Sequence, residues 1–137
     1  MAAMGFTGLP VARAAAASPA GPAGAFAAKT FAEAMAALGA AAPSALVTLV
    51  APTIVENGAV VPVTVSSALP GTHEIVLLCD CNPQPVAVQF SFAGGTESFV
   101  STRIRMATSG TVVAAVLTDD GVYTASRAIE VNVGGCG

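Results

Sequence analysis

The residues whose type and position suit covalent chemistry are three cysteines: Cys79, Cys81 and Cys136. Cys136 stands one residue from the chain end, in Gly134-Gly135-Cys136-Gly137, directly after the β-patterned Val131-Asn132-Val133. Glycine has no Cβ and samples both signs of φ, so this composition predicts a thiol on a pliant tether, a flexible arm over residues 134–137. Its four residues reach about 13 Å when extended. A cysteine used for packing would be buried, and a structural disulfide would need a fixed backbone. The spacing therefore points to a working thiol, set against the plainer reading of a frayed tail in which Cys136 is incidental. A free thiol ionises near pKa 8.5, and the neighbouring α-carboxylate disfavours a second negative charge. No Lys, Arg or His lies nearer in sequence than Arg127. Such a thiol suits a carrier that other proteins activate, rather than a cysteine enzyme, which holds its base and orienting group in place.

Cys79-Asp80-Cys81 admits three readings. On a strand, residues i and i+2 share a face with Cα atoms about 6.6 Å apart, near the upper limit for a disulfide. The pair is then a strained, reducible bridge, or two small residues near a strand end with one facing the core, or a pair of metal ligands. Two thiolates are too few for a structural zinc site, and only His73 offers a further ligand nearby in sequence. A bridge here would leave Cys136 as the unpaired thiol, in keeping with an odd cysteine count in an oxidising compartment. No resident metal or cofactor is expected. His73 is the only histidine and falls beside the Pro70–Thr72 turn, where a solvated side chain is ordinary. The carboxylates are scattered singly apart from Asp119-Asp120, and no Gly-rich loop leads into a helix to cradle phosphate.

The elements that must position these cysteines are legible in the composition. Of 30 alanines, 19 fall in the first 42 positions, whereas 17 of 18 valines lie beyond Pro43. Net charge is -3 with five scattered Lys/Arg, which argues against a nucleic-acid partner. Every long apolar run is interrupted by Gly, Pro or charge, so no membrane span is expected. Residues 1–28 read as the remnant of a signal peptide, with small-residue sites at Ala12-Arg13-Ala14 and Ala14-Ala15-Ala16, or as a disordered Ala/Gly/Pro leader. The charged segment that precedes such a signal is missing, so the start is expected further upstream. Residues 29–43 carry a short helix, with Phe31, Met35 and Leu38 as its buried stripe, Thr30 as N-cap and Gly39 as stop, followed by linker. Over residues 44–133, seven strands are predicted: Leu46–Ala51, Ala59–Ser67, Glu74–Cys81, Val86–Phe92, Ser98–Met106, Thr111–Thr118 and Val122–Val133. They are separated by turns such as Asn57-Gly58, Pro70-Gly71, Gly94-Gly95 and Asp120-Gly121. Short strands at this spacing, without βαβ alternation, describe an all-β fold: an immunoglobulin-like antiparallel β-sandwich with one short N-terminal helix. The expected core is Val63, Val65, Leu77, Phe90, Ile104, Val113 and Val116.

Four stretches together resemble the SoxY family, the sulfur-carrier subunits of bacterial thiosulfate oxidation. They are Glu56-Asn57-Gly58-Ala59-Val60-Val61-Pro62-Val63, Asn82-Pro83 with Pro85, Phe99-Val100-Ser101-Thr102-Arg103-Ile104-Arg105-Met106, and Gly134-Gly135-Cys136-Gly137. The resemblance covers about residues 29–137. It implies a periplasmic, non-enzymatic carrier that forms a heterodimer with a smaller SoxZ-like subunit. In that family the arm cysteine receives thiosulfate from a SoxAX-like c-type cytochrome pair. A dimanganese SoxB-like hydrolase then releases sulfate, and in some pathways a sulfane dehydrogenase oxidises the sulfur left behind. Cys136 takes the covalent attachment role here, with Gly134, Gly135 and Gly137 as the arm, whereas the family's arm commonly runs on to a further glycine. The resemblance does not account for Cys79 and Cys81. A rival from another class is a secreted immunoglobulin-like adhesion or assembly module whose terminal cysteine makes an intermolecular disulfide.

Overall fold

β-branched residues alternating with polar ones can lie with one face dry and the other wet, and most of this chain follows that rule. The computed structural model describes residues 21–93 and 98–132. Within them two helices, α1 (Gly21–Ala27) and α2 (Phe31–Leu38), precede the strands β1 (Ala41–Pro43), β2 (Val47–Val50), β3 (Ile54–Val55), β4 (Val61–Ser67), β5 (Thr72–Cys79), β6 (Val86–Ser91), β7 (Ser98–Ile104), β8 (Gly110–Thr118) and β9 (Gly121–Val131). The smaller sheet has the order β2-β4-β7 and is antiparallel throughout. The larger has the order β1-β9-β8-β5-β6, with β3 also pairing β9. The chain therefore folds as the expected two-sheet β-sandwich.

Between the sheets, Val61, Val63 and Val65 of β4 meet Ile75, Leu77 and Cys79 of β5 and Val112, Ala114 and Val116 of β8. Six of the seven expected core residues are buried, while Phe90 is half-buried at the margin of this cluster. β5 is dry on its other face too. Val76 and Leu78 join Val86, Ala115 and Leu117 beneath Ala25 of α1 and Ala34 and Leu38 of α2. A strand covered on both sides reads as an unbroken apolar run, which is what Ile75-Val76-Leu77-Leu78-Cys79 is.

The predicted helix begins where its cap implies: the Thr30 hydroxyl accepts from Glu33 N at 3.1 Å, and Glu33 Oε1 accepts from Lys29 N at 3.1 Å. Gly39, with φ of 110°, ends it. The expectation of a single helix is corrected by α1, which occupies part of the stretch assigned to leader and linker. Its Ala25 is fully buried, so tertiary burial overrides the unfavourable Gly/Pro composition. Residues 1–20, the remainder of that leader, lie outside the described residues, as does the Gly94-Gly95 turn.

Two further elements are new. β1 and β3 are short and run parallel to β9, pairing Val122–Thr124 and Glu130–Val131 respectively. The β8–β9 hairpin turns on Asp119-Asp120, with Thr118 Oγ1 accepting from Asp120 N and Gly121 N at 3.1 Å each. Leu77→Ala empties the centre of the inter-sheet core and is expected to cost about 2–5 kcal/mol of unfolding free energy, measured by urea titration.

Candidate functional site

One end of the sandwich gathers the end of β5, the β5–β6 loop, the β7–β8 connection and the end of β9. β5 stops at Cys79, and Asp80 and Cys81 lie in a turn rather than on the strand predicted to run through Cys81. The Cα atoms of Cys79 and Cys81 are consequently 5.4 Å apart, closer than an extended strand would hold them, and the two residues are joined in a disulfide. Cys79 is fully buried in the inter-sheet core; Cys81 is half-buried at its edge. Cys81 N donates to Cys79 Sγ at 3.4 Å.

The loop holding this pair is fixed from three directions. Asp80 Oδ1 accepts from Thr111 N at 2.9 Å, and Asp80 N donates to Thr111 O at 3.2 Å. Asn82 reaches across to the β7–β8 connection, donating from Nδ2 to Arg105 O at 2.6 Å and accepting at Oδ1 from Ala107 N at 2.8 Å. Gln84 Nε2 donates to Phe26 O of α1 at 2.7 Å. Gly110 allows this closeness: an added Cβ would stand 2.6 Å from Asp80 Oδ1 and 2.7 Å from Cys81 Cβ.

β9 ends against the same cluster. Val131 N donates to Ser109 Oγ at 2.8 Å, Glu130 N to Thr53 O at 2.8 Å and Asn132 N to Val55 O at 2.7 Å. Asn57, Gly58, Arg105, Met106 and Val131 line a hollow of about 220 Å³ there. Gly58 is buried, and an added Cβ would collide with Met106 O. A second hollow of about 480 Å³ opens beside it, between Asn82, Pro83, Val86, Arg103 and Arg105.

The structure thus brings Cys79 and Cys81 to the end from which the terminal residues leave. Cys136, Gly134, Gly135 and Gly137 lie outside the described residues, which finish at Asn132. His73, at the start of β5, is exposed. Cys79, Asp80 and Cys81 place their ligand atoms within 4.8 Å of one another, but with both sulfurs in the bridge no thiolate is available to a metal.

Sequence reasoning missed the cations. Arg127 is nearest to Cys136 along the chain, yet Arg105 shares with Val131 the lining of the hollow at the end of β9. Arg103 and Arg105 are both exposed, with Ile104 and Met106 buried between and after them. The alternation Arg103-Ile104-Arg105-Met106 was the available signal, since every second strand residue shares a face. What the arrangement offers is exposed positive charge on Arg105, which lines the same hollow as Val131 near the end of β9.

Fold and site together define a β-sandwich protein whose last strand runs on from a firmly bound sheet position into a cysteine-bearing terminus. A model of the family described as sulfur oxidation protein SoxY matches residues 32–136. The chain belongs to the SoxY family. Among solved structures, the sulfur carrier protein SoxY from Chlorobium limicola f thiosulfatophilum is similar at 33% identity, covering 69% of this chain and 83% of its own with a TM-score of 0.64. A superoxide reductase (neelaredoxin) from Ignicoccus hospitalis shares the fold alone, at 21% identity and TM-score 0.56 over 63% of this chain and 79% of its own. No curated protein matches the chain.

Asn82→Ala removes both bonds to the β7–β8 connection. A loss of about 1–2 kcal/mol in unfolding free energy is expected from chemical denaturation, with the β-sheet circular dichroism of the native state unchanged.

Proposed function

We propose that this chain is a covalent sulfur carrier of thiosulfate oxidation, working in the periplasm and loaded on Cys136. The observation that carries the reading is the SoxY family match, which extends to residue 136 and so takes in that cysteine. No Lys, Arg or His lies nearer to Cys136 in sequence than Arg127, and activation falls to the proteins that receive the arm. It acts as substrate and courier, not as an enzyme. A thin tail of small residues carrying a short anionic adduct enters an active site too narrow for a folded domain. Arg105 and Val131 line one hollow at the end of β9, and that positive charge favours an anionic load on the chain that follows.

The partners are a SoxZ-like subunit in a heterodimer and, transiently, a SoxAX-like c-type cytochrome pair, a SoxB-like hydrolase and a sulfane dehydrogenase. Two features support an obligate partner. The outer face of the larger sheet is covered by α1 and α2. Among the described residues, that of the smaller sheet is uncovered and exposes Val50 at 57% and Phe99 at 54%, a surface suited to burial against another domain.

Intact-mass analysis after incubation with thiosulfate and the cognate cytochrome pair is expected to show one sulfur-containing adduct on the C-terminal peptide, removed by thiol reduction. Cys136→Ser abolishes the adduct and thiosulfate-dependent turnover while leaving the unfolding midpoint unchanged. Full turnover by that variant, or adducts confined to Cys79 or Cys81, overturns the proposal.

A further inference from the structure

The smaller sheet ends in β7, and a proline in its neighbour fixes which way the backbone of β7 points. Pro62 has no N–H, so its pairing with Arg103 falls where the β4–β7 ladder exchanges no bonds. The exchanging pairs are then Val61 with Ile104, Val63 with Thr102 and Val65 with Val100. Alternate with these, the N–H and C=O groups of Phe99, Ser101 and Arg103 point away from β4, toward the open side of the sheet. Arg105 is the next residue of that series, and its carbonyl is already capped. Asn82 Nδ2 donates to Arg105 O at 2.6 Å, while Asn82 Oδ1 accepts from Ala107 N at 2.8 Å. One side-chain amide there stands in for the polar groups of a neighbouring strand.

Two other edges are blunted. Arg127 Nη2 donates to Leu49 O on β2 at 3.4 Å. On β6, Leu77 pairs Val88 and Leu78 pairs Val86, so Ala87 stands in a bulge that interrupts the ladder. Along β7, among the described residues, no hydrogen bond reaches the outward backbone groups of Phe99, Ser101 and Arg103. A strand laid against them would cover the hollow of about 480 Å³ between β6 and β7. Val86, Ala87 and Ile104 give that hollow an apolar lining, and the exposed Arg103 and Arg105 flank it. Successive side chains of such a strand would meet two environments. Those opposite Phe99, Ser101 and Arg103 would share the exposed face of the arginines, and those between would turn inward over the hollow. Residues 98–106 contain two arginines and no carboxylate, so a second copy of this edge would bring only more positive charge to the seam. Acidic side chains on one face and apolar ones on the other complement it.

We propose that the edge of β7 over residues 99–103 is a docking site for an extended segment of another protein in which acidic and apolar residues alternate. The segment adds a strand to the three-stranded sheet. Its backbone pairs with Phe99, Ser101 and Arg103, its carboxylates lie beside Arg103 and Arg105, and its apolar side chains cover Val86, Ala87 and Ile104. The contact goes beyond the carrier reading and involves no sulfur chemistry, so the two stand or fall separately.

Amide NMR of the isotope-labelled full-length chain tests this with three blocked synthetic peptides. The first alternates Glu and Val, the second carries Lys in place of Glu, and the third is the Glu peptide with its edge-facing amides N-methylated. The Glu peptide is expected to shift the amides of Phe99, Ser101 and Arg103 saturably and to slow their hydrogen exchange. The Lys peptide should bind about tenfold more weakly, since exposed attractive pairs become repulsive ones, and the methylated peptide should not bind. Arg103→Glu, a change at an exposed side chain, is expected to reverse the preference between the Glu and Lys peptides. The wild-type series needs no substitution to fold. Absence of shifts at those three amides with millimolar Glu peptide overturns the proposal, as does equal binding of the Lys or methylated peptide. Concentration-dependent protection of the same amides without peptide also overturns it, because the occupant is then a second copy of the chain.

Discussion

The architecture depends on one strand being dry on both faces. β5 sends Ile75, Leu77 and Cys79 toward the smaller sheet and Val76 and Leu78 toward α1 and α2. Its neighbours β8 and β6 hold it in register, with Ile75 opposite Val116 and Phe90, and Leu77 opposite Ala114 and Val88. Burial of apolar surface contributes about 25 cal/mol per Å², and a strand covered twice collects that contribution on both sides. The helices are then not decoration: without them Val76, Leu78, Val86 and Leu117 would face water. The paired alanines Ala114 and Ala115 of β8 serve both layers, leaving room for larger residues on each side.

The same strand sets the position of the cysteine pair. Where β5 leaves the sheet after Cys79, the backbone turns immediately, and the turn is pinned by Asp80 to Thr111 and by Asn82 to Arg105 and Ala107. Because β9 lies beyond β8 in the same sheet, its final residues reach the same end, with Ser109 as the link. Proximity of the bridge to the arm's root is thus a consequence of sheet order, not of any attraction between the two.

Much of this was legible beforehand, and the exceptions have physical causes. The seven principal strands announce themselves through β-branched alternation and turn residues; α2 does so through Thr30, Glu33 and Gly39. α1 was missed because Gly21, Pro22 and Gly24 are poor helix formers, and only the docking of Ala25 onto the sheet makes a helix worthwhile there. β1 and β3 were missed because their partner, β9, lies some 75 or more residues away, and two- or three-residue segments carry no periodicity. The cysteine pair was placed on an extended strand because β5 has no breaker before Asn82-Pro83 in its sequence, whereas the chain turns at Asp80 once the carboxylate finds Thr111 N. The terminal cysteine was conspicuous from its glycines alone. The placing of Arg105 and Val131 around one hollow was not, since it depends on how the sheets close.

β9 has a mechanical meaning. It is bonded along its length to β8 from Gly121 to Ile129, and is gripped near its beginning by β1 and at its end by β3. Ladder hydrogen bonds of the antiparallel β8–β9 pair run perpendicular to the strands. A protein that tugs on the last residues in line with β9 therefore loads these bonds together, sideways, instead of unzipping them one at a time. On the proposed carrier reading, a partner could pull in this direction without peeling open the sheet.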